Sequence, residues 1–420
     1  MLSPSIWGCS NVRQSTLYAG TAPWAPLWHF PTLERAVIDS PYDRKQPFGR
    51  VERSAHVPRS DDLPLVHPYG PTAARPRARS GRDLRPRSTT IDIHSHVSVP
   101  AAHALVEPHL DISTIPLAFF SSPQTKMISA RQELDRRTRM SGEENGLSER
   151  LRDLDAAGVD IQLVMPPPPQ CYYTVPIEIA AAATQIVNDG LAAYVARAPD
   201  RFVALGGVPL QDGRAAADEL ERSMRSLGFR GVEILTNVVG KELSDASLEP
   251  FWAKADELGA LVVIHPNGFT EGRRLSRFYF NNIIGNPLET TIALHYLIFD
   301  GVLERHPNLK ILAAHGGGYL GSYPGRIDHA WGARDDCRAD LPQPPSHYLK
   351  KVFVDSIVFT PHQLDALVKV FGVDHVLMGT DYPFDMAEAD PIGHLASVDT
   401  FDAATIAAIA GNNAKRLLNM

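Results

Sequence analysis

Five side chains that can bind a metal ion or transfer a proton stand at the ends of apolar runs in this sequence. The first run ends with His94 and His96, and later runs end with His265, His315 and Asp381. Side chains two residues apart on a strand point to the same side, so two imidazoles at this spacing can converge on one cation. Three imidazoles and one carboxylate satisfy a divalent ion and leave room for a water. We therefore predict one metal ion bound by His94, His96, His265 and Asp381.

His265 and Asp381 support this prediction because each ends a run in which an unpaired polar group is costly. Burial of an imidazole without a partner costs free energy, and a buried carboxylate needs a cation or strong donors. For His315 taken alone, a hydrogen-bonded core residue is the alternative to an acid/base. That alternative weakens because several such residues occupy equivalent strand ends. The other histidines from residue 90 onward are expected to have surface or packing roles: His103, His109, His295, His306, His329, His347, His362, His375 and His394.

The fourth apolar run, residues 231–236, limits the number of metal ions. It contains no lysine, so no carbamylated lysine can bridge two ions there. Glu233 lies in the middle of this run, where we expect it to be structural or to support the ligands. The sequence therefore predicts a mononuclear site.

Eight short apolar runs alternate with amphipathic stretches from residue 90 to the end of the chain. Runs rich in Val, Ile and Leu are typical of parallel strands covered on both faces. Eight of them alternating with helices predict an α/β fold, a (β/α)8 TIM barrel, with chemistry at the carboxyl ends of its strands. A doubly wound open sheet is the alternative, but no G-x-G-x-x-G pattern follows the first strand. The predicted strands are 90–97, 159–166, 201–209, 231–236, 260–266, 309–316, 351–356 and 375–381, and the predicted helices are 147–157, 176–197, 214–227, 248–258, 288–305, 361–370 and 402–418.

Two further segments depart from the regular alternation. Residues 98–146 are too many for an ordinary βα loop and predict an insertion, a small lid over the mouth of a barrel that spans residues 89–420. Residues 1–88 are rich in proline and arginine and lack periodicity, so they predict a disordered extension. A basic arm that binds an acidic partner and a targeting segment are the alternatives for that extension.

Composition argues against several classes of protein. The chain has 41 Lys and Arg against 48 Asp and Glu, a net charge of −7, which gives no support to nucleic-acid or anionic-membrane binding. Its 3 cysteines are far apart and odd in number, which excludes a disulfide framework and fits a reducing compartment. No apolar run is long enough to span a bilayer, so we expect a cytoplasmic protein.

Taken in order, these residues resemble the amidohydrolase superfamily, and within it the metal-dependent decarboxylases related to aminocarboxymuconate-semialdehyde decarboxylase. The resemblance covers about residues 90–420. Its most specific segments are IDIHSH (91–96), VIHP (263–266), IGNPLETTIA (284–293), AAHGGGYLGSYPGRIDHAW (313–331), PPSHYLKKVFVDS (344–356) and MGTDYPFDM (378–386).

The resemblance implies roles for individual residues. It implies that the four predicted ligands hold one Zn²⁺ and that His315 is the catalytic acid/base. Arg326 matches an arginine that pairs with a substrate carboxylate and that the family supplies across a homodimer interface. A bidentate guanidinium suits a planar carboxylate, although a surface ion pair is the alternative for Arg326.

Two features depart from the family pattern. The family uses a second arginine after the first strand, and none of the arginines there aligns with it: Arg131, Arg136, Arg137 and Arg139. The exit of the second strand also has its own sequence, MPPPPQCYY (165–173). Tyr172, Tyr173 and Tyr279 are expected either to contact an unsaturated or aromatic acid or to pack in the core.

The implied function is metal-dependent, non-oxidative decarboxylation of a small unsaturated or aromatic carboxylic acid. Zinc lowers the pKa of a bound water from ~15.7 towards ~7. His315 would orient or deprotonate that water, or protonate a ring carbon in the case of a phenolic acid. No redox cofactor is required. The alternative is a metal-dependent hydrolase of an amide, ester, lactone or C–C bond, and a non-enzymatic metal-dependent scaffold is less favoured because the ligand set is complete.

Overall fold

Eight parallel strands form the barrel that the sequence predicts. The computed structural model describes residues 81–140 and 144–420. Each strand lies inside one of the predicted apolar runs. The strands are β1 (Ile91–Asp92), β2 (Ile161–Val164), β3 (Phe202–Ala204), β4 (Gly231–Leu235), β5 (Leu261–His265), β6 (Lys310–Ala313), β7 (Val352–Asp355) and β8 (Val376–Leu377).

Hydrogen bonds join these strands in chain order into a closed barrel. β1 to β3 form one parallel group and β4 to β8 form another. A parallel bridge between Gly206 and Val232 joins the groups on one side. On the other side, the amide of Ile93 donates to the carbonyl of Met378 at 2.9 Å. The barrel is therefore closed, the doubly wound alternative is wrong, and all the carboxyl ends lie on one rim.

Helices follow the strands close to the predicted bounds. Their starts follow from local sequence: the Asp212 carboxylate accepts hydrogen bonds from the amides of Arg214 and Ala215 and so caps the helix after β3. A short hairpin, Asn237–Val238 with Lys241–Glu242, follows β4. The α-helices are Gly81–Leu84, Pro100–Val106, Pro116–Phe119, Pro123–Met140, Glu144–Ala157, Ile177–Val195, Gly213–Ser226, Glu249–Leu258, Asn286–Phe299, Val302–Arg305, Ala314–Gly317, Pro324–Ala333, Asp335–Arg338, Pro345–Leu349, Pro361–Phe371, Pro391–Ala396, Ala403–Ala407 and Asn413–Leu417.

Two helices that the sequence predicts as continuous are divided. The predicted helix 288–305 stops at Phe299, and Gly301 at φ 72° separates it from a second short helix. Glycine adopts this left-handed conformation without the steric cost that a side chain would bring. The predicted helix 402–418 is interrupted by a wider π-helical turn, Ala408–Asn412. Apolar periodicity continues through both breaks, so it could not reveal them.

Apolar side chains of the strands are buried on both sides of the sheet. β5 is buried along its whole length, as its continuous apolar run predicts. One large cluster includes Val262, Ile264 and Trp252, and a smaller one joins Leu261 and Val263 with residues of the last helix. Packing on both sides therefore fixes the strands in place, and the strands in turn fix the positions of the polar residues at their ends.

The insertion after β1 borders the carboxyl rim of the barrel. The amide of Leu117 donates to the carbonyl of Asn267 at 3.1 Å, just beyond β5. The side chain of Asn281 donates to the carbonyl of Pro116 at 2.9 Å. Residues of this insertion thus contact the loops that follow the strands.

The described chain begins within the predicted extension. Residues 81–88 include a short helix, the amide of Gly81 donates to Asp390 Oδ1 at 3.0 Å, and Arg85 pairs with Asp160 at 2.7 Å. The predicted disorder therefore does not reach these eight residues, and for residues 1–80 the prediction lies outside the described residues. Within the described part of the chain, no helix is both long and apolar enough to cross a membrane.

Candidate metal centre

Four of the predicted residues meet at the carboxyl rim of the barrel. His94, His96, His265 and Asp381 each offer one ligand atom, and these atoms all lie within 4.8 Å of one another. The Nε2 atoms of His94 and His96 are 3.2 Å apart. Asp381 Oδ1 lies 3.4 Å from the first and 3.1 Å from the second. All four residues are buried, so segments far apart in the sequence converge on one small volume.

The other ring nitrogen of each histidine points away from this centre towards an oxygen. His94 Nδ1 lies 2.8 Å from Asp355 Oδ2. His96 Nδ1 lies 3.1 Å from the carbonyl of Pro166, and His265 Nδ1 lies 2.7 Å from the carbonyl of the next residue. Because carbonyl and carboxylate oxygens accept hydrogen bonds, we assign a hydrogen to each Nδ1, so that Nε2 is the ring atom each histidine can offer to a cation. Outer hydrogen bonds of this kind orient imidazoles at metal sites.

The centre fits one divalent cation. His265 Nε2 is buried and has no hydrogen-bond partner among the described residues, a costly state for a polar atom unless a ligand satisfies it. Burial lowers the pKa of His265 well below its usual value, so this atom is unprotonated. Burial also opposes a charge on His94, but Asp355 and Asp381 outweigh it and raise the pKa of His94 to about 9. The pocket therefore favours positive charge among donors that suit zinc.

His315 lies beside the four ligands and is more open than they are. Its Nε2 is 3.5 Å from Asp381 Oδ2, and its side chain is 17% exposed. The rings of His315 and His265 have centroids 4.9 Å apart. Burial would raise the pKa of Asp381, but His315 and His96 outweigh it and hold that pKa well below its usual range. His315 thus lies against the centre and is more accessible than the four converging residues.

The backbone around His315 is unusual in a way that explains the HGGG pattern. His315 and Asp381 have φ of 56° and 62°, a region that residues other than glycine seldom adopt and that clusters at functional sites. Gly316 to Gly318 also have positive φ. At Gly318 a Cβ would clash with the carbonyl oxygen of Pro287. The three glycines let the chain turn sharply after β6 and place His315 at the rim.

Asp355 is a site residue that sequence analysis missed. Its Oδ2 accepts hydrogen bonds from His94 Nδ1 at 2.8 Å and from the amide of His315 at 2.9 Å, and its Oδ1 accepts from the amide of Gly316 at 2.9 Å. Burial disfavours its charge, but His94 and the other donors outweigh this and lower the pKa of Asp355. Asp355 therefore orients a ligand and the predicted acid/base together. Its position at the end of β7, like that of Asp381 after β8, was an available signal.

A buried polar network beside the centre was also missed. Asp92 Oδ2 accepts from Gln162 Nε2 at 2.7 Å and from Thr380 Oγ1 at 2.6 Å. Gln162 Oε1 accepts from Arg150 at 2.8 Å, and Arg150 also donates to the carbonyl of His96 at 2.5 Å. The network ties β1, β2 and the segment after β8 together where they carry ligands. Nothing in the sequence separates these residues from ordinary surface polar residues.

Glu233 supports the centre from β4, in agreement with one of its two expected roles. Its Oε2 is 3.6 Å from His96 Nδ1, and its Oε1 is 4.0 Å from Cys171 Sγ. Burial raises the pKa of Glu233 well above its usual range. Glu233 contacts the outer edge of a ligand ring and is not one of the four converging residues.

A cavity of about 240 Å³ lies over the ends of β2, β4 and β5, and neither the four converging residues nor His315 is among the residues that line it. Leu235 lines it and pairs in the sheet with His265. Tyr172 and Tyr173 are buried and also line it, as does Asn267, two residues beyond His265. Residues 110–120 of the insertion contribute to the opposite side. The cavity is therefore continuous in the fold with the strand that bears a predicted ligand.

Comparison with protein families identifies the barrel. A family model described as Amidohydrolase matches residues 91–420, which include every strand. The chain belongs to the amidohydrolase family. Its relatives include the 2-amino-3-carboxymuconate-6-semialdehyde decarboxylase of Dictyostelium discoideum, 37% identical over 272 residues that cover 64% of this chain and 76% of that protein. The gamma-resorcylate decarboxylase of Rhizobium radiobacter is 30% identical over 304 residues, which cover 64% of this chain and 86% of that protein. The resemblance inferred from the sequence is confirmed.

Solved structures confirm the fold of this amidohydrolase. The 5-carboxyvanillate decarboxylase of Novosphingobium aromaticivorans, complexed with manganese and 4-hydroxy-3-methoxy-5-nitrobenzoic acid, has a TM-score of 0.70. It is 24% identical, and the match covers 80% of this chain and 97% of that one. A 2,6-dihydroxybenzoate decarboxylase complexed with 2,6-dihydroxybenzoate has a TM-score of 0.67 at 23% identity, and the match covers 79% of this chain and 100% of that one.

The predicted substrate residues of this amidohydrolase are placed in different ways. Arg326 is exposed on an outer helix, and its guanidinium has no hydrogen bond or ion pair among the described residues. It does not line the cavity. Tyr279 is also absent from the cavity lining, and its hydroxyl donates to Asp385 at 3.4 Å. Of the three tyrosines, only Tyr172 and Tyr173 line the cavity.

The arginines of the insertion do not supply the second substrate arginine within the described side chains. Arg139 pairs with Asp153 at 2.9 Å. Arg131 and Arg137 are exposed, and none of the three lines the cavity. The side chain of Arg136 lies outside the described residues.

Proposed function

We propose that this amidohydrolase is a metal-dependent, non-oxidative decarboxylase, a carbon–carbon lyase that acts on an aromatic or unsaturated carboxylic acid. The convergence of three imidazole Nε2 atoms and Asp381, with His315 beside them, carries this proposal. The relatives described above bear the names of decarboxylases. The cavity beside the centre has room for the organic part of a small acid.

The proposed metal is zinc, held by His94, His96, His265 and Asp381. Imidazole nitrogens with one carboxylate oxygen suit this ion, and three of the donors keep lone pairs directed at the centre. When bound, a divalent ion supplies Lewis acidity that polarises an oxygen of the substrate or of a water. Asp355 orients His94 for this role, and carbonyl oxygens orient His96 and His265.

His315 is the proposed acid/base. In the reaction the bond between the carboxylate carbon and its neighbour breaks, carbon dioxide leaves, and the electron pair stays on the neighbouring carbon. A proton must then take the place of the lost group. His315 Nε2 lies at the edge of the centre, while its Nδ1 is buried without a partner among the described residues. After delivery, His315 regains a proton from water, so no oxidant or reductant is needed.

Arg326 is proposed to pair with the substrate carboxylate across a homodimer interface. Its guanidinium is exposed and unpaired within the described chain. Tyr319 and Tyr323, earlier in the same segment, are exposed large side chains, and aromatic residues with arginine are enriched at protein interfaces. Arg326 of one subunit would complete the site of the other, in a protein that we place in the cytoplasm.

Release of carbon dioxide by the metal-loaded protein tests the proposed reaction. We expect zinc-loaded protein to release it from at least one acid in a panel of aromatic and ring-cleavage carboxylic acids, with a manganese-loaded sample measured in parallel. His315→Ala should lower kcat by about 10²- to 10⁴-fold without changing the zinc content. His347→Ala removes an exposed histidine and should leave kcat unchanged.

Three outcomes would count against parts of the proposal. Turnover retained by His315→Ala would remove His315 from the reaction, and cleavage of an amide or ester without carbon dioxide would indicate a hydrolase. Mixing the His315→Ala and Arg326→Ala proteins tests the dimer. Mixed dimers that regain activity place the two residues in one site from different subunits, whereas no recovery contradicts that arrangement.

A further inference from the structure

The cavity beside the metal centre is lined by neutral side chains. Within the described residues, no Asp, Glu, Lys or Arg contributes to its wall. A carboxylate that enters such a wall without a cation or several donors loses its hydration without replacement. A cation held at the metal centre can satisfy one carboxylate, whereas a second carboxylate would meet no charged side chain in the described wall of the cavity.

The charged side chains that lie directly behind this wall are acids. Glu289 accepts from Asn237 Nδ2 at 2.6 Å and from the amide of Thr270 at 3.2 Å, and both of these residues line the cavity. Glu233 lies behind Cys171, 4.0 Å from its sulfur. Neither acid can supply the positive charge that a carboxylate in the cavity would need.

Tyr173 supplies an unused donor in the same wall. Its side chain is 4% exposed, and its hydroxyl hydrogen has no acceptor among the described residues. Burial raises the pKa of Tyr173 well above its usual range, so the phenol is neutral. A buried hydroxyl without a partner is costly unless something absent from the chain satisfies it. Because this residue lines the cavity, a ligand is the natural partner.

We propose that the cavity binds the ring or unsaturated part of an acid with a single carboxylate, and that the Tyr173 hydroxyl hydrogen-bonds to a neutral oxygen on that part. The expected substrate then carries one carboxylate and, on its ring or unsaturated part, a neutral oxygen that can accept a hydrogen bond. Tyr173 selects among such acids and does not take part in bond breaking. This inference rests on the proposed decarboxylase function.

Binding to the zinc-loaded protein tests the role of Tyr173 without turnover. The probes are 2-nitrophenol, in which the nitro group stands for the carboxylate, and its four derivatives with one further hydroxyl at ring positions 3 to 6. We expect at least one derivative to bind Tyr173→Phe about 10-fold more weakly than the wild type by calorimetry, as loss of one hydrogen bond predicts. The parent 2-nitrophenol should bind both proteins equally.

Tyr194→Phe is the matched control for this experiment. The Tyr194 hydroxyl is also buried without a partner among the described residues, but it lies on the helix Ile177–Val195 and does not line the cavity. Both substitutions remove one oxygen, so both proteins should keep their Tm and zinc content. Equal binding of every derivative to Tyr173→Phe and wild type, or no binding by any probe, would overturn the assignment.

Carbon dioxide release separates this inference from the function on which it rests. We expect kcat/KM for 2-hydroxybenzoic acid to exceed that for 2-hydroxybenzene-1,3-dicarboxylic acid by at least about 10-fold, since the second carboxylate has no partner in the cavity. Equal or better turnover of the diacid would overturn the single-carboxylate preference while leaving the decarboxylase intact. No release from any acid would remove the proposed function, and the binding measurements would still decide the role of Tyr173.

Discussion

The metal centre and the cavity lie side by side on one rim of the barrel but are built from opposite kinds of side chains. The centre gathers three histidines and Asp381 in one buried group, and the buried Asp355 contacts one of these histidines. The described wall of the cavity is neutral and keeps its acids behind it. Binding at the centre therefore depends on charge, whereas binding in the cavity depends on shape and neutral hydrogen bonds.

This difference follows the strands. The ends of β1, β5 and β7 and the turns after β6 and β8 bear the titratable groups, while the loops after β2 and β4 bear tyrosine, proline and asparagine. One rim can therefore fix an anionic group at the centre and disfavour a second charge in the cavity. A substitution can therefore disturb the metal centre without the cavity, or the cavity without the metal centre.

The largest effect is expected for His265→Ala, which removes one of the four converging donors. We expect the affinity for zinc to fall by more than about 100-fold, beyond the effect of changing a residue that only orients a ligand. The gain in Tm that zinc gives the wild type should fall with it, because a ligand that binds the folded state stabilises it more the further its concentration exceeds Kd. Elemental analysis and thermal unfolding with and without zinc measure both.

His295→Ala is the matched control for that substitution. His295 is half-buried on the helix Asn286–Phe299, and its Nδ1 lies 2.6 Å from the carbonyl of Thr291. Its loss should leave zinc content unchanged. Undiminished zinc binding by His265→Ala would contradict the ligand set, and binding of 2-nitrophenol to the zinc-free protein would contradict the division between centre and cavity.

Glu289→Gln tests the acid behind the neutral wall. The folded protein raises the pKa of Glu289 from 4.5 to about 7, so it holds the proton more tightly than the unfolded chain. The resulting stability is fully present below about pH 4.5 and is lost as pH rises through about 7, a change of about 3 kcal/mol. We expect Glu289→Gln to flatten this decline in unfolding free energy. If the unfolding free energy of Glu289→Gln falls with rising pH as steeply as that of the wild type, Glu289 does not cause the decline.

A smaller effect is expected for Asp355→Asn, which weakens the carboxylate that orients His94. Affinity for zinc should fall by about 10- to 100-fold, the usual result of changing such an outer partner. Asp365→Asn, on the helix Pro361–Phe371, changes an acid that pairs with Lys369 on an outer helix and should have no effect on zinc. If Asp355→Asn binds zinc as tightly as the wild type, then Asp355 only accepts hydrogen bonds from the backbone amides of His315 and Gly316 and does not orient His94 for metal binding.

Strand positions were predictable because parallel strands buried on both faces are apolar and contiguous. The eight runs therefore indicated the barrel, and their polar ends indicated His94, His96, His265, His315 and Asp381. Asp355 could have been found by the same rule. Helix breaks at Gly301 and at Ala408–Asn412 could not, because apolar periodicity continues across them.

Other parts of the site depend on contacts between segments far apart in the chain. Arg150 and Gln162 belong to the network beside the centre only because β1 and β2 are neighbours. Tyr173 was a candidate for substrate contact or for the core, and its place in the cavity wall follows from the loop after β2 meeting the end of β4.

The sequence by itself determined which residues can bind a metal and that they follow the strands of a barrel, since residue type and strand periodicity are local properties. Only the tertiary structure decided that three Nε2 atoms converge, that Asp355 accepts hydrogen bonds from two of the site residues, and that the neighbouring wall is neutral. Those properties are distances and directions between segments far apart in the chain, and closure of the barrel sets them.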